Sequence, residues 1–172
     1  MTEKLKIIKP TVAQVVEFLR ESNAIEGVYG KEALVDAKRA WDFLMKKKHI
    51  TEKHVLRVHK LLAHRIAPDI AGKFRQCDVW IGGQRKLYVD DVILLEQVKA
   101  VLDLMTKSIV QSDDREKSAQ DSHVLFEGVH PFVDFNGRTG RILWTWHRLQ
   151  MGLPIQIIHV GEEQNSYYSW FR

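Results

Sequence analysis

A chain of 172 residues is long enough to bury one hydrophobic core and short enough to need no second domain. Its composition, 45% hydrophobic and 28% charged with a formal net charge of +4, is that of an ordinary soluble globular protein, and no apolar run is long enough to span a membrane. A single cysteine, Cys77, excludes an intramolecular disulfide and is expected to be buried and inert; with a Met1–Pro10 stretch that lacks a secretory apolar core, it leads us to expect a cytoplasmic protein.

In chain order, the apolar spacing predicts a mainly α-helical protein. Val12, Val15, Val16 and Leu19 form a helical stripe that starts at a Thr11 N-cap and ends before Gly27. Leu34, Ala37, Trp41 and Leu44 predict a second helix, and Val55, Val58 and Leu62 a third beginning at Thr51. Lys46–Lys48 is the only dense basic cluster and sits at a helix end, where cations are favoured; no basic face of the kind that binds nucleic acid is evident. Val79–Ile81 and Leu87–Val89 flank Gly82-Gly83 and predict one short β-hairpin over about 79–89, too small to be stable alone and so expected to keep one strand edge free. A longer helix opens at Asp90-Asp91 and carries Leu94, Val98, Val101, Leu102, Met105 and Ile109. Ala119, His123 and Phe126 mark the next, which stops near Gly128. Ile142, Leu143, Trp146 and Leu149 mark one more helix, closed by Gly152 and Pro154. Tyr167, Tyr168, Trp170 and Phe171 crowd the final residues; they dock on the core, form an interface, or belong to a longer parent protein.

The densest chemistry lies in His130-Pro131-Phe132-Val133-Asp134-Phe135-Asn136-Gly137-Arg138-Thr139-Gly140-Arg141. His130 has the side chain closest to neutrality in its unperturbed pKa, which suits a general base. Pro131 biases it out of the helix. Asp134 is a hard oxygen donor suited to Mg²⁺. Asn136-Gly137 tolerates left-handed backbone angles and can turn amides inward as an anion nest, next to the positive end of the following helix. Arg138 and Arg141, three apart, can fork onto phosphates. Taken singly, each residue has a duller use as a turn former or solvated face. Together they converge on one anion and one metal.

This run resembles the signature of the Fic family of nucleotidyl transferases, His-Pro-Phe-x-Asp/Glu-Gly-Asn-Gly-Arg-x-x-Arg, at every specified position but Phe135, where the family has Gly. Ala71-Gly72-Lys73-Phe74-Arg75 before the hairpin is similar to the family's approach to its target-clamping flap, and His123-x-x-Phe126 to its pre-motif helix. The resemblance covers roughly Ser22 to Pro154 and implies a Fic-type helical bundle. It also implies protein adenylylation, the transfer of AMP from ATP with Mg²⁺ to a hydroxyl of a target protein or of the protein itself. In that reading His130 is the base, Asp134 the metal ligand, the Asn136-Gly137 nest the phosphate site, and Arg138 and Arg141 the β/γ contacts. Phenylalanine at position 135 makes a positive φ and a close phosphate approach harder than glycine would, which bears on nucleotide choice.

Ser22-Asn23-Ala24-Ile25-Glu26-Gly27 is similar to the family's inhibitory motif. The resemblance implies that Glu26 pairs with Arg141 and blocks the γ-phosphate position, with Ser22 one turn away on the same side. In some relatives that glutamate also helps to remove AMP. The expected organisation is a single domain over 1–172: an inhibitory helix in 1–27, a catalytic core in 28–160 and a C-terminal segment in 161–172. A homo-oligomer is compatible with it. Two other readings stand beside this one. His123, Glu127 and His130 share a helical face with Asp134 nearby, as in a metal-dependent hydrolase, although Pro131 ends that helix and the arginines are left without a role. A non-catalytic helical interaction module would instead use the aromatic C-terminus and the hairpin edge.

Overall fold

The computed structural model describes residues 8–172; the expectation for Met1–Pro10 falls mostly outside them. Among the described residues the protein is mainly α-helical, with seven helices and one hairpin: α1 (Val12–Ala24), α2 (Lys31–Leu44), α3 (Glu52–Ala63), β1 (Val79–Ile81), β2 (Gln84–Lys86), α4 (Asp91–Gln111), α5 (Arg115–Val129), α6 (Asn136–Gln150) and α7 (Glu162–Tyr168), then a 3₁₀ turn, Ser169–Phe171. None of these helices is long and apolar enough to cross a membrane.

Capping sets the starts. Thr11 and Gln14 form a reciprocal capping box on α1, Asp90 accepts from the Val92 amide at 2.8 Å, and Asp114 accepts from the Lys117 amide at 3.0 Å. The apolar stripes then face one core in which Phe18, Trp41, Val58, Val98 and Leu143 meet. Val12, expected in the first stripe, is exposed, as are the residues beside it from Thr11 to Gln14.

The centre is α6. From Asn136 to Leu149 every residue but Gly137 is buried, although the helix carries three arginines and a histidine. Burying polar groups is costly without partners, and the surrounding helices supply several, although Arg138 Nε, Thr139 Oγ1, Trp144 Nε1 and His147 Nδ1 have none among the described residues. His147 pairs with Ser108 of α4 at 2.8 Å, Arg148 reaches Glu116 of α5, and Arg141 reaches Ser22 of α1. These pairs give a largely polar helix its fixed place.

The hairpin is shorter and differently registered than the apolar runs suggest. Gly82 and Gly83 have φ of 54° and 83°, a two-residue turn with both positions left-handed, so Ile81 pairs with Gln84 and Val79 with Lys86. The return strand is therefore Gln84–Lys86, not Leu87–Val89. The Leu87 carbonyl and Tyr88 amide turn to Arg75 and Asp78 instead. No further strand flanks the pair among the described residues. Cys77, at the hairpin's base, is exposed rather than buried.

The C-terminal aromatics dock. Tyr167 is buried, its hydroxyl lies 2.8 Å from His123 Nε2, and Trp170 packs edge-on against Trp144 of α6. They form a second, smaller core with Ile25, Met151 and Ile158.

Candidate active site

The loop from His130 to Phe135 joins α5 to α6 and is held from below. His130 is the last cap of α5, in the left-handed region at φ 50°, so the helix ends just before Pro131. Asn136 closes the loop: its amide group accepts from the Phe132 N–H and donates to the Phe132 carbonyl, both at 2.9 Å. Fully buried Arg75 donates to the carbonyls of His130 (2.9 Å), Cys77 (2.9 Å) and Leu87 (3.1 Å), and its own N–H bonds Pro131. One guanidinium thus ties the loop to both ends of the hairpin. His59 does the same for Asp134. Its Nδ1 accepts from the Gly72 N–H at 2.9 Å, so Nε2 carries the proton and donates to the Asp134 carbonyl at 3.1 Å.

The His130 ring has one committed nitrogen. Nδ1 lies 3.2 Å from the Glu127 carbonyl, which can only accept, so Nδ1 bears the proton and the Nε2 lone pair stays available. Burial, against the help of that hydrogen bond, holds the ring below the ordinary histidine pKa, assisted by the charges of Arg75 and Lys86. At neutral pH it is in its basic form.

The anion-nest expectation needs correction. Asn136 and Gly137 are already in the first turn of α6, and the left-handed residue is Phe135, at φ 64° and ψ 13°. Phenylalanine adopts the conformation at a cost of about 1–3 kcal/mol. It is held there because its ring is buried under the Arg138 guanidinium, 3.9 Å from the centroid, with His59 edge-on at 5.9 Å. Arg138 thus stacks on Phe135 and does not line the cavity described below. Asp134 is exposed; one carboxylate oxygen accepts from the Phe135 amide and the other has no protein partner among the described residues. A single free carboxylate suits Mg²⁺, which takes one or two carboxylates and fills its remaining positions with substrate phosphates and water.

Arg141 is engaged from α1. Its Nε donates to Ser22 Oγ at 2.9 Å, and Nη2 to the Ser22 carbonyl at 2.9 Å and Glu26 Oε1 at 2.7 Å. Glu26 lies two residues past the end of α1, in a tight turn closed by its N–H on the Asn23 carbonyl at 3.0 Å. Gly137 makes the approach possible, since a Cβ there would overlap Glu26 Oε1 and lie 2.9 Å from Arg141 Nη1. Glu26, Gly137, Arg141 and His130 share one cavity of about 580 Å³, walled by the hairpin at Trp80–Gly82 and by Tyr168, Trp170 and Phe171.

The Fic/DOC family model matches residues 49–147, more than half of the chain and all of this loop. The chain belongs to the Fic/DOC family. It is 30% identical over 128 residues to protein adenylyltransferase fic-1 of Caenorhabditis elegans, covering 73% of this chain and 25% of that one. Against protein adenylyltransferase Fic of Drosophila willistoni it is 29% identical over 129 residues, covering 75% and 25%. The match thus spans about a quarter of these relatives. The Fic fold recurs in the solved structure of Fic-1 (residues 134–508) from C. elegans, with TM-score 0.74, 22% identity, and 94% of this chain and 58% of that one covered. A Fic domain-containing signaling protein from Bacteroides thetaiotaomicron gives TM-score 0.75 at 18% identity, with coverage of 91% and 70%.

Within this Fic domain the hydrolase constellation does not form. His123 turns into the core, stacked on Trp144 at 5.3 Å and bonded to Tyr167. Among the described residues no three His, Cys, Asp or Glu side chains converge as a metal set. His59 and Arg75 had no assigned place in the site as read from sequence, and Glu127 had one only in the hydrolase constellation. His59 interrupts the apolar face of α3 beside Val55, Val58 and Leu62, a visible signal for a buried polar tie. Arg75 lies in a quoted motif, but its three acceptors are scattered along the chain.

Proposed function

We propose that this Fic domain is a protein adenylyltransferase, moving AMP from ATP to a Ser, Thr or Tyr hydroxyl of a target protein or of itself. The observation that carries the reading is a neutral His130 with a free Nε2, in one cavity with the first turn of α6 and Arg141. Nε2 takes the hydroxyl proton as the oxygen bonds to the α-phosphorus and the bond to the pyrophosphate leaving group breaks. The first amides of α6 and the Arg141 guanidinium receive phosphate charge. Mg²⁺ at Asp134 would neutralise charge on the phosphates. The aromatic wall offers stacking surface to the base, and the hairpin edge offers backbone groups to an extended target segment by strand addition.

The same geometry supports a built-in brake. Glu26 occupies Arg141 and the space over Gly137, which a γ-phosphate would need, so the protein as it stands is largely switched off. A carboxylate held inside the cavity also favours a second activity, removal of AMP. The roles of Asn136 and Arg138 change in this reading: both support the loop, and neither grips phosphate directly.

The test is incubation of Glu26→Gly protein with labelled ATP and Mg²⁺, scored for self-modification beside the unaltered protein and Glu26→Gly/His130→Ala. Strong labelling of the first alone supports the enzyme and its brake. Equal labelling with and without Glu26 removes the brake but leaves the transferase. No labelling and no nucleotide binding in any of them would favour the interaction module.

A further inference from the structure

Glu127 stands one turn before His130 on α5 and has no part in the reaction above. Its carboxyl lines the cavity shared by Glu26, Gly137 and Arg141, and its Oε1 is inaccessible and has no hydrogen-bond partner among the described residues. Its place is made by Gly140 of α6, where a Cβ would overlap Oε1 and lie 3.0 Å from the Phe126 ring. The carboxyl therefore rests against helix backbone on one side and faces the ligand space on the other. The charged and titratable groups around it are Arg141 from α6, Glu26 from the turn after α1, Tyr167 from α7, Arg172 on the cavity wall, and His123 and His130 on its own helix. Arg141 is the nearest cation, and Ser22 and Glu26 already hold it.

We infer that Glu127 is a further binding residue of this cavity, one that receives a polyphosphate ligand as the neutral acid, so that nucleotide binding takes up a proton. The inference rests on the nucleotide-binding reading. A phosphate chain beside Gly137 and Arg141 adds negative charge next to Glu127, whether it stops short of the Glu26 carboxylate, as in ADP, or displaces it. An ionised Glu127 would repel that chain, whereas the acid form offers an O–H donor to it. Burial above all, with the charge of Glu26 and against the pull of Arg141, already raises this carboxyl to about 7 before any ligand arrives.

Calorimetric titration of the full chain with ADP and Mg²⁺, in paired buffers of unlike ionisation heat from about pH 6 to about pH 9, reads the proton directly. The phosphate of ADP itself has finished titrating by about pH 8. There the unaltered protein should take up close to one proton per ADP, and its affinity should fall by up to about tenfold per pH unit. Glu127→Gln, isosteric and permanently neutral, should bind more tightly at that pH with no buffer-dependent heat. Zero proton uptake by the unaltered protein above about pH 8, with ADP bound, overturns the inference and leaves the nucleotide reading standing. The same slope in both proteins also overturns it. If neither protein binds ADP at any pH, the nucleotide reading and the inference fall together; binding by the unaltered protein alone overturns the inference and leaves that reading standing.

Discussion

The free Nε2 of His130 and the carboxyl of Glu127 titrate on opposite sides of the reaction's working range. His130 sits below the ordinary histidine value because of burial, so turnover of Glu26→Gly protein at saturating ATP should rise with pH only at acid pH and be level by neutrality. Glu127 then weakens ATP binding as pH rises past about 7, so kcat/KM should fall where kcat does not. A kcat profile still climbing above neutrality would remove His130 as the base. Phe135 is the other informative residue. Phe135→Gly relieves about 1–3 kcal/mol of left-handed strain but empties a buried site worth about 3–5 kcal/mol, a net loss of about 2 kcal/mol in denaturant unfolding. It also releases Arg138 from the ring, so nucleotide affinity or preference should change with it. Unfolding and titrations that match the parent protein would show that neither the ring nor the strain matters.

Among the elements, the hairpin depends most on a single side chain. Its strands are three residues each and their only covalent support is a loop, so the Arg75 guanidinium supplies the register between hairpin base and His130 loop. Lysine keeps the charge but cannot fork to three carbonyls. Arg75→Lys should leave acceptors orphaned at about 1–3 kcal/mol each, speed proteolysis at Gly82-Gly83, and lower kcat through a loosened His130. Unchanged hairpin protection and kcat would make Arg75 a redundant tie. The sequence missed the return strand of the hairpin and, in a helix it otherwise placed, the start at Asn136 and the burial of α6 on every side, and both for one reason. Alternation and helical period report apolar faces, whereas the hairpin is set by turn geometry at Gly82-Gly83 and α6 by polar pairs reaching in from other helices.

The whole molecule carries its acid sensitivity in three buried imidazoles. Burial depresses His59 and His147 to about 4 and His123 to about 3. The unfolded chain therefore binds more protons below about pH 6.5, and stability present above that value is lost as pH falls toward 4, at about 1.4 kcal/mol per pH unit per ring. Glu127 works the other way: raised to about 7, it adds stability as pH falls from there to the ordinary carboxylate range. Three rings against one carboxyl leave a net loss, so the denaturation midpoint should drop steeply between about pH 6 and pH 4.5, and Glu127→Gln should raise it at about pH 8. A midpoint flat across the acid range would mean that the rings are not held neutral.

By itself the sequence determined the helical class, the helix starts at Thr11, Thr51 and Asp90, and the cluster His130–Arg141, because capping residues, apolar period and a contiguous motif are all local. It also marked Glu26 as the partner of Arg141, through a resemblance rather than through spacing, with Ser22 on the same side. Only the tertiary structure decided that Glu26 reaches a guanidinium 115 residues away across a gap left by Gly137. It alone decided that Phe135 takes the left-handed turn expected of its neighbours, that Asn136 is a loop clasp, and that Glu127 faces the ligand space beside Gly140. Each of these depends on which atoms fill a shared volume and which buried polar group is left without a donor. That information is carried by packing between distant segments, and no local pattern encodes it.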